Sequence, residues 1–176
     1  MRFPPLAPEQ LSPRQLEVLK GFQQSRSGGI AGPFEVLLES SEIAQRVQLL
    51  GQELRFNLRV PERLRALAIL VAASRYRADD TQRFAAMEEV RSSGLSSAKQ
   101  EALSRGVMPP DLSQDEQLVY EFSHEVTRTG RVRNVTFDAL AARVGKEVCL
   151  ELVVLCGYVL YLTSLFNITQ TKAPIH

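Results

Sequence analysis

Side chains able to act as nucleophiles or redox groups are few in this chain. Its 176 residues include two cysteines, Cys149 and Cys156, seven positions apart. In a helix that spacing is two turns, and a rise of roughly 10 Å is too long for a disulfide within the helix. Buried cysteines commonly pack as small apolar groups. We therefore interpret both thiols as core residues and expect no thiol peroxidase chemistry.

Histidine, the usual general acid or base, is equally scarce: the chain has two histidines. His176 is the last residue of a polar tail. His124 lies two positions beyond Phe122, about 200° round a helix and so away from the apolar face. An exposed or interface position is the favoured interpretation, and His124 is kept as a weak catalytic candidate. With no matching carboxylate cluster, the sequence predicts no metal site and no cofactor.

Arginine is the residue type best suited to bind a ligand here. Arg55 and Arg59 share a helix face, and Arg83 follows in a later helix. A guanidinium holds a carboxylate through two parallel hydrogen bonds, so these residues predict a site for an organic acid. The alternative is exposed ion pairing, since Asp79 precedes Arg83 by one helical turn. Ion pairing is favoured for Arg59 and Arg83, and both interpretations stay open for Arg55.

The composition is that of an ordinary globular domain. The chain is 44% apolar and 23% charged, with a net charge of +1. Its 21 basic and 20 acidic residues form no basic block, so nucleic acid is not an expected partner. Two cysteines, and a first segment too rich in proline for a signal peptide, predict a cytoplasmic protein. The length fits one domain over residues 1–176.

The elements that must position these side chains are all predicted to be helices. Apolar residues recur every three or four positions, and no segment alternates as a strand does. Capping patterns at Ser12 with Gln15 and at Ser113 with Glu116 mark helix starts, while Gly94 and Gly145 mark helix ends. The predicted helices are Ser12 to Phe22, Phe34 to Leu58, Pro61 to Val71, Asp79 to Ser93, Ser96 to Gly106, Ser113 to Val126, Thr136 to Val144 and Val148 to Ile168. The predicted fold is a single-domain all-α bundle.

The last of these helices, VCLELVVLCGYVLYLTSLFNI, is nearly long enough to span a bilayer. Glu151 interrupts it early, and Thr163 and Ser164 make its end more polar. A helix that is apolar on all sides is also typical of the centre of a soluble helical protein. We predict that central, buried position and no membrane insertion.

Four segments, in order, resemble the carboxymuconolactone decarboxylase family, which includes the alkylhydroperoxidase D-like proteins. They are GPFEVLLESSEIAQRVQLLGQELRF (Gly32 to Phe56), RLRALAILVAASRYRADD (Arg63 to Asp80), SSGLS (Ser92 to Ser96) and ELVVLCGYVLYLTSLFN (Glu151 to Asn167). The resemblance implies the helical bundle of that superfamily, assembled as a homotrimer or homohexamer with pockets near subunit contacts. Tyr158 belongs to the family-like Gly157-Tyr158 pair and is expected to line a pocket or a subunit contact.

The residues that would carry the family's chemistry are replaced. The peroxidase branch has a Cys-x-x-Cys pair, which this sequence lacks. The decarboxylase-like branch commonly has two glutamates and a histidine in a helical hairpin, and the altered positions here are Ala66, Gln82 and Ala86. Alanine has no ionisable atom and glutamine does not titrate, so the usual source of general acid–base catalysis is missing. Gln82 is kept, with His124, as a weak catalytic candidate.

Three functions are therefore predicted as alternatives. The first is a carboxymuconolactone decarboxylase-like protein that binds a small organic acid, of the aromatic-degradation or lactone type, through Arg55, Gln82, Arg83 and Tyr158. The second is a catalytically degenerate, oligomeric binding or scaffold protein. The third is an alkyl hydroperoxide reductase-like antioxidant. Whether the chain is an enzyme stays open, and any activity is expected to be that of a lyase rather than a thiol peroxidase.

Overall fold

The fold of the chain is all-α, as predicted. The computed structural model describes residues 2–3, 8–25, 36–76 and 86–170, and none of these residues lies in a strand. The α-helices are α1 (Pro13–Ser25), α2 (Ser41–Phe56), α3 (Glu62–Ala73), α4 (Ser97–Ser104), α5 (Gln114–Thr129), α6 (Asn134–Val144) and α7 (Lys146–Thr169). Short 3-10 helices occur at Pro8–Gln10, Leu38–Ser40 and Ser74–Tyr76.

The chain divides into two compact units, and the first comprises Met1–Asn57 with Ser164–His176. In this unit α1 packs against α2. The Gln48 side-chain amide donates a hydrogen bond of 2.9 Å to the Gly21 carbonyl oxygen. An ion pair of 2.7 Å joins the Arg14 guanidinium to Glu42. Polar contacts therefore accompany the apolar packing of this helix pair.

The second unit, Leu58–Thr163, is built around α3. This helix packs against α4 and α5, and α5 also packs against α6. The predicted apolar stripe of α3 is buried, as Leu64 and Leu67 illustrate. Ile69 and Ala72 on other sides of the helix are buried as well. Because neighbours cover most of its circumference, α3 is more deeply enclosed than one helical stripe predicts.

Two predicted helix starts are confirmed as capping boxes. The Ser12 hydroxyl accepts a hydrogen bond from the Gln15 amide nitrogen, and the Gln15 side chain accepts one from the Ser12 amide. Ser113 and Glu116 make the same reciprocal pair at the start of α5. Gly145 follows α6 with a φ of 88°, a conformation that favours glycine, which confirms the predicted helix end.

Several predicted boundaries differ from the structure. The helix predicted over Phe34 to Leu58 is α2 only over Ser41–Phe56, and a 3-10 helix precedes it at Leu38–Ser40. The helix predicted to begin at Thr136 begins at Asn134, and the buried Thr136 hydroxyl donates to Glu125 at 2.9 Å. The helix predicted to end at Ser93 ends earlier, since residues 86–89 are helical and turns follow. Residues 79–85 of that prediction lie outside the described residues. Pro61 occupies the N-cap position of α3 rather than its first turn.

Candidate functional site

The altered family positions are only partly within the described residues. Ala66, on α3, is 2% exposed and lies among other buried residues of the second unit. Ala86 begins the helical stretch 86–89 and is half-buried. Gln82 and Arg83 lie outside the described residues. The predicted proximity of these positions therefore stays a prediction.

Two further members of the predicted acid-binding set lie in different units. Arg55 is half-buried on α2, in the first unit. Tyr158 is buried on α7, in the second unit, and its ring centroid is 6.5 Å from that of Tyr161, tilted by 44°. Burial of Tyr158 agrees with a place in the interior of its unit. The organic-acid site itself stays a prediction.

His124 packs against an aromatic side chain of its own helix. Its ring stacks on Tyr120, one turn earlier on α5, with centroids 5.7 Å apart and an interplanar angle of 11°. The imidazole is half-buried, and within the described part of the chain it forms no ion pair. A general base is normally oriented by a third group, such as a carboxylate. The arrangement therefore favours a structural role for His124.

Both cysteines are free and fully buried on α7. Burial raises the pKa of Cys149 above its ordinary value. Burial raises the pKa of Cys156 to about 12, although the Ser123 hydroxyl near it lowers the pKa in part. The thiolate is the reactive form of cysteine, and it is scarce when the pKa is so high. This environment supports the interpretation of the thiols as core residues.

Among the carboxylates in the described part of the second unit, Glu116 is the most enclosed, with a side chain that is 1% exposed. One carboxylate oxygen accepts hydrogen bonds from Lys99 Nζ at 2.9 Å and from the Ser113 amide at 2.8 Å. The other lies 3.5 Å from Arg63 Nε. This Glu116 cluster joins the start of α5 to α4 and α3.

The Glu116 cluster contains one carboxylate and two cations, and Asp111 lies 3.8 Å from Lys99 as a second carboxylate. Burial by itself raises the pKa of Glu116, but the Ser113 amide, Lys99 and Arg63 together bring it below its ordinary value. The carboxylate is therefore ionised at neutral pH and its acceptor sites are occupied. A group in that state stabilises the fold and is poorly suited to transfer protons.

Glu151, the acidic residue within the apolar α7 sequence, also has a structural partner. One of its carboxylate oxygens accepts the Arg59 amide at 2.8 Å and the Val60 amide at 3.3 Å. These amides belong to the segment that leads into α3. Glu151 therefore links α7 to the segment that precedes α3 within the second unit.

Glu125 forms a third ionic contact, between the end of α5 and the start of α6. Its carboxylate accepts the Arg133 guanidinium at 2.7 Å and the Thr136 hydroxyl at 2.9 Å. Burial raises the pKa of Glu125, but the hydrogen bonds from Arg133 and Thr136 lower it below its ordinary value overall. This network fixes the α5–α6 turn.

Metal-ligating residues do not gather in the described ranges. No group of three or more His, Cys, Asp or Glu side chains there is placed to hold a metal ion. The carboxylates of Glu116, Glu125 and Glu151 are paired with cations, backbone amides or a hydroxyl instead. Their signals in the sequence were incomplete: the capping pattern predicted Glu116 as a helix cap, but not its pairing with the distant Lys99 and Arg63.

One side of α7 is exposed in the second unit. Leu150, Val153 and Val154 are 66%, 42% and 47% exposed, whereas Cys149 and Leu152 on the other side are fully buried. The predicted burial of this helix on all sides is therefore wrong for the single chain. The packing of the second unit covers one face of α7 and leaves an equally apolar face in contact with solvent.

The length and composition of α7 would also suit a bilayer-spanning helix. Its mean hydropathy is 2.0 over the most apolar 18-residue window, of which 33% is buried. Length and composition do not separate such a helix from one that packs against protein. The length and composition of α7 are therefore only weak evidence for membrane insertion.

Comparisons with known proteins leave the family unassigned. No protein-family model matches the chain, and no curated protein matches its sequence. The resemblance to the carboxymuconolactone decarboxylase family stays a prediction based on the four segments named above.

Proposed function

We propose that this chain is a carboxymuconolactone decarboxylase-like helical protein that assembles with copies of itself and acts as a binding or scaffold protein rather than an enzyme. The observation that carries the proposal is the exposed apolar face of α7, with Leu150, Val153 and Val154 side by side. Contiguous apolar patches on soluble proteins commonly mark interaction sites. Burying such a face gains roughly 25 cal/mol for each Å² removed from water.

The family resemblance sets the expected form of the assembly. It implies a homotrimer or a homohexamer, and the cytoplasm is the proposed location. An assembly of either size would cover apolar surface that a single copy leaves in water. Neither nucleic acid nor a membrane is part of the proposal.

The residues described so far support a non-enzymatic role. Alanine occupies two of the positions where the family would have ionisable groups, Ala66 and Ala86. The buried thiols carry raised pKa values, and Glu116 is held ionised by its cationic neighbours. A catalytic acid or base needs a pKa near the working pH and access to a substrate. These groups meet neither condition.

Light scattering after size-exclusion chromatography tests the assembly. The wild-type chain should have the mass of a homo-oligomer at micromolar concentration. Val154→Glu places a charge on the exposed face of α7 and should shift the mass towards the monomer with helicity unchanged. Val135→Glu is the matched control, since Val135 is likewise exposed, at 67%, but lies on α6 and not on the exposed face of α7. A wild-type monomer would contradict the proposal.

Activity assays separate this proposal from its enzymatic alternatives. The acid-binding alternative uses Arg55, Gln82, Arg83 and Tyr158, and it predicts turnover of a lactone acid or a thermal shift on adding one. The hydroperoxide reductase alternative predicts peroxide consumption that depends on Cys149 or Cys156. We expect neither activity. Turnover in either assay would show that the chain is an enzyme and overturn the scaffold proposal.

A further inference from the structure

The exposed side of α7 in the second unit forms a continuous strip. At about 100° per residue, a set of side chains lies within about 60° of Gly157 round the helix. The exposed Lys146 lies on the same side at the start of α7. Over residues 150–161, this α7 stripe consists of Leu150, Val153, Val154, Gly157, Leu160 and Tyr161. Its first four members are exposed, and the last two are half-buried. Between its two ends the stripe carries no charged side chain.

Gly157 at the middle of the stripe is not required by the packing of its own chain. A methyl group added there would meet no described atom within 4 Å. Its backbone is not in the left-handed region where glycine is favoured. Glycine also weakens a helix interior relative to alanine. A glycine on an exposed helix face does allow the backbone of a second helix to approach closely.

The chemistry of the stripe favours a protein helix over a lipid surface. Helices that lie on membranes combine an apolar face with a polar face rich in lysine and arginine. In α7 the face opposite the stripe is instead packed inside the second unit, where Leu152 and Cys156 are fully buried. Glu151 is likewise held by the Arg59 and Val60 amides. A helix fixed in this way can meet a partner with one face only.

The order of side chains along the stripe makes it complementary to itself. In an antiparallel pair with a two-fold axis at Gly157, residues equally far before and after Gly157 face each other. Val153 then faces Tyr161 of the other copy, and Val154 faces Leu160. A smaller side chain thus meets a larger one in each pair, and the two glycines meet at the axis. A symmetric contact requires this kind of self-complementarity.

We propose that two copies of this chain pair through the α7 stripe in antiparallel orientation, with Gly157 at the two-fold axis. The inference rests on the proposed self-assembly and adds its partner, surface and register. A homohexamer built from two trimers with D3 symmetry contains such two-fold contacts, whereas a cyclic homotrimer contains none. Of the two predicted assemblies, the hexamer is therefore the one this contact supports.

The area that the α7 stripe can bury indicates how stable the dimer is expected to be. The stripe, residues 150–161, is about 18 Å long, and a face about 11 Å wide gives a footprint of about 200 Å² per copy. Stable interfaces usually bury about 800 Å² per partner. Pairing through α7 alone is thus expected to be weak and dependent on concentration. Other surfaces must contribute wherever the assembly is stable.

Cysteine cross-linking of the full chain tests the register. Gly157→Cys should give a covalent dimer under mild oxidation, since the two introduced thiols meet at the axis. Leu150→Cys is the matched control: it is also exposed on the stripe, but in the antiparallel pair it lies about 21 Å from its counterpart and should not cross-link. The native cysteines are buried and protonated, so the wild-type chain gives the background.

A mixed pair and a conservative variant complete the test. A Val153→Cys chain mixed with a Tyr161→Cys chain should form the mixed dimer, which keeps the register testable if Gly157→Cys itself disturbs the contact. Gly157→Ala should weaken dimerisation about tenfold while leaving helicity unchanged or raised. If Gly157→Ala left the affinity of dimerisation unchanged, the two α7 helices would not approach closely at Gly157, and the inference would be overturned.

The outcomes separate this inference from the proposed function. Cross-linking of both Gly157→Cys and Leu150→Cys would show parallel pairing and overturn the inference. A wild-type oligomer in which neither the Gly157→Cys chain nor the mixed pair cross-links would overturn the inference alone. A cyclic trimer would do the same. A wild-type monomer that sediments with phosphatidylcholine vesicles would overturn both proposals.

Discussion

At the scale of single residues, Glu116 illustrates how this protein uses its buried charge. Its carboxylate accepts hydrogen bonds from Lys99 and the Ser113 amide and lies beside Arg63. Because each partner belongs to a different segment of the second unit, the charge holds those segments together. Replacing Glu116 leaves the mostly buried Lys99 without full compensation, which costs more than the contact itself gains, whereas Arg63 is 49% exposed and stays solvated.

Glu116→Gln should therefore destabilise the fold. Glutamine keeps the size of the side chain, but it leaves Lys99, which is 14% exposed, without its full counter-charge. We expect the free energy of unfolding to fall by about 2–3 kcal/mol in urea titrations at neutral pH. Glu121→Gln, on the same helix and bonded to the exposed Gln117, should change it by less than about 0.5 kcal/mol. Equal effects would contradict a special role for Glu116.

The same variant should change how stability depends on pH. Since the pKa of Glu116 is lowered in the folded chain, its contribution is present above the ordinary value of 4.5 and is lost as pH falls through the lowered folded-state value. The wild-type chain should lose more stability than Glu116→Gln between neutral pH and about pH 3. Glu125 shifts in the same direction but is present in both proteins. Parallel profiles would rule out the assigned contribution of Glu116.

Ala66 allows a prediction about restoring family-like chemistry. Because the residue is buried on α3, Ala66→Glu would place a carboxylate among apolar side chains. We expect a loss of at least about 2 kcal/mol in the free energy of unfolding. Ala98→Glu, at an exposed position in the first turn of α4, is the control and should be nearly neutral. An equally stable Ala66→Glu protein would point to a solvated space beside Ala66 and favour the acid-binding alternative.

At the scale of elements, the contrast between α3 and α7 is informative. Both helices are apolar, and their sequences alike predict burial. Neighbouring helices cover α3 on most sides, whereas α7 is covered on one side and its stripe is exposed. An apolar helix face is expected to be buried by other protein, but hydrophobicity does not specify whether that protein is the same chain or another one. Glu151 on α7 connects the two helices through the segment before α3.

Glu151→Gln should loosen that segment. The neutral amide is a weaker acceptor for the Arg59 and Val60 N–H groups than the carboxylate is. We expect stability to fall by about 1 kcal/mol and the two amides to exchange with solvent faster. Hydrogen exchange monitored residue by residue measures the effect. Glu147→Gln, an exposed position in the first turn of the same helix, should leave these amides protected as in the wild type.

At the scale of the whole molecule, the proposed assembly predicts a stability that depends on concentration. If only folded copies associate, association stabilises the folded state by mass action. The melting temperature of the wild-type chain should rise with protein concentration, whereas that of Val154→Glu should stay constant. Differential scanning calorimetry at several concentrations measures both. A wild-type melting temperature independent of concentration would contradict a weak, reversible assembly.

Local patterns in the sequence predicted much of the architecture. The capping boxes at Ser12 and Ser113 depend on residues three positions apart, so the sequence displays them directly. Thr136 was misassigned as a helix start, and its hydroxyl bonds to Glu125 in the preceding helix, a contact that no local pattern shows. The candidate site was less predictable. Its members lie on several helices, and Gln82 and Arg83 fall outside the described residues.

The amino-acid sequence by itself determined the helical class, most helix boundaries and the absence of a Cys-x-x-Cys pair. Those properties follow from periodicity, capping and residue type, which act over a few positions. Only the tertiary structure decided that Glu116 is enclosed by Lys99 and Arg63, that His124 stacks on Tyr120, and that one apolar face of α7 is exposed. Burial and pairing depend on which distant segments fold against a residue. A single apolar helix carries the same sequence signal whether its own chain or a second copy covers it.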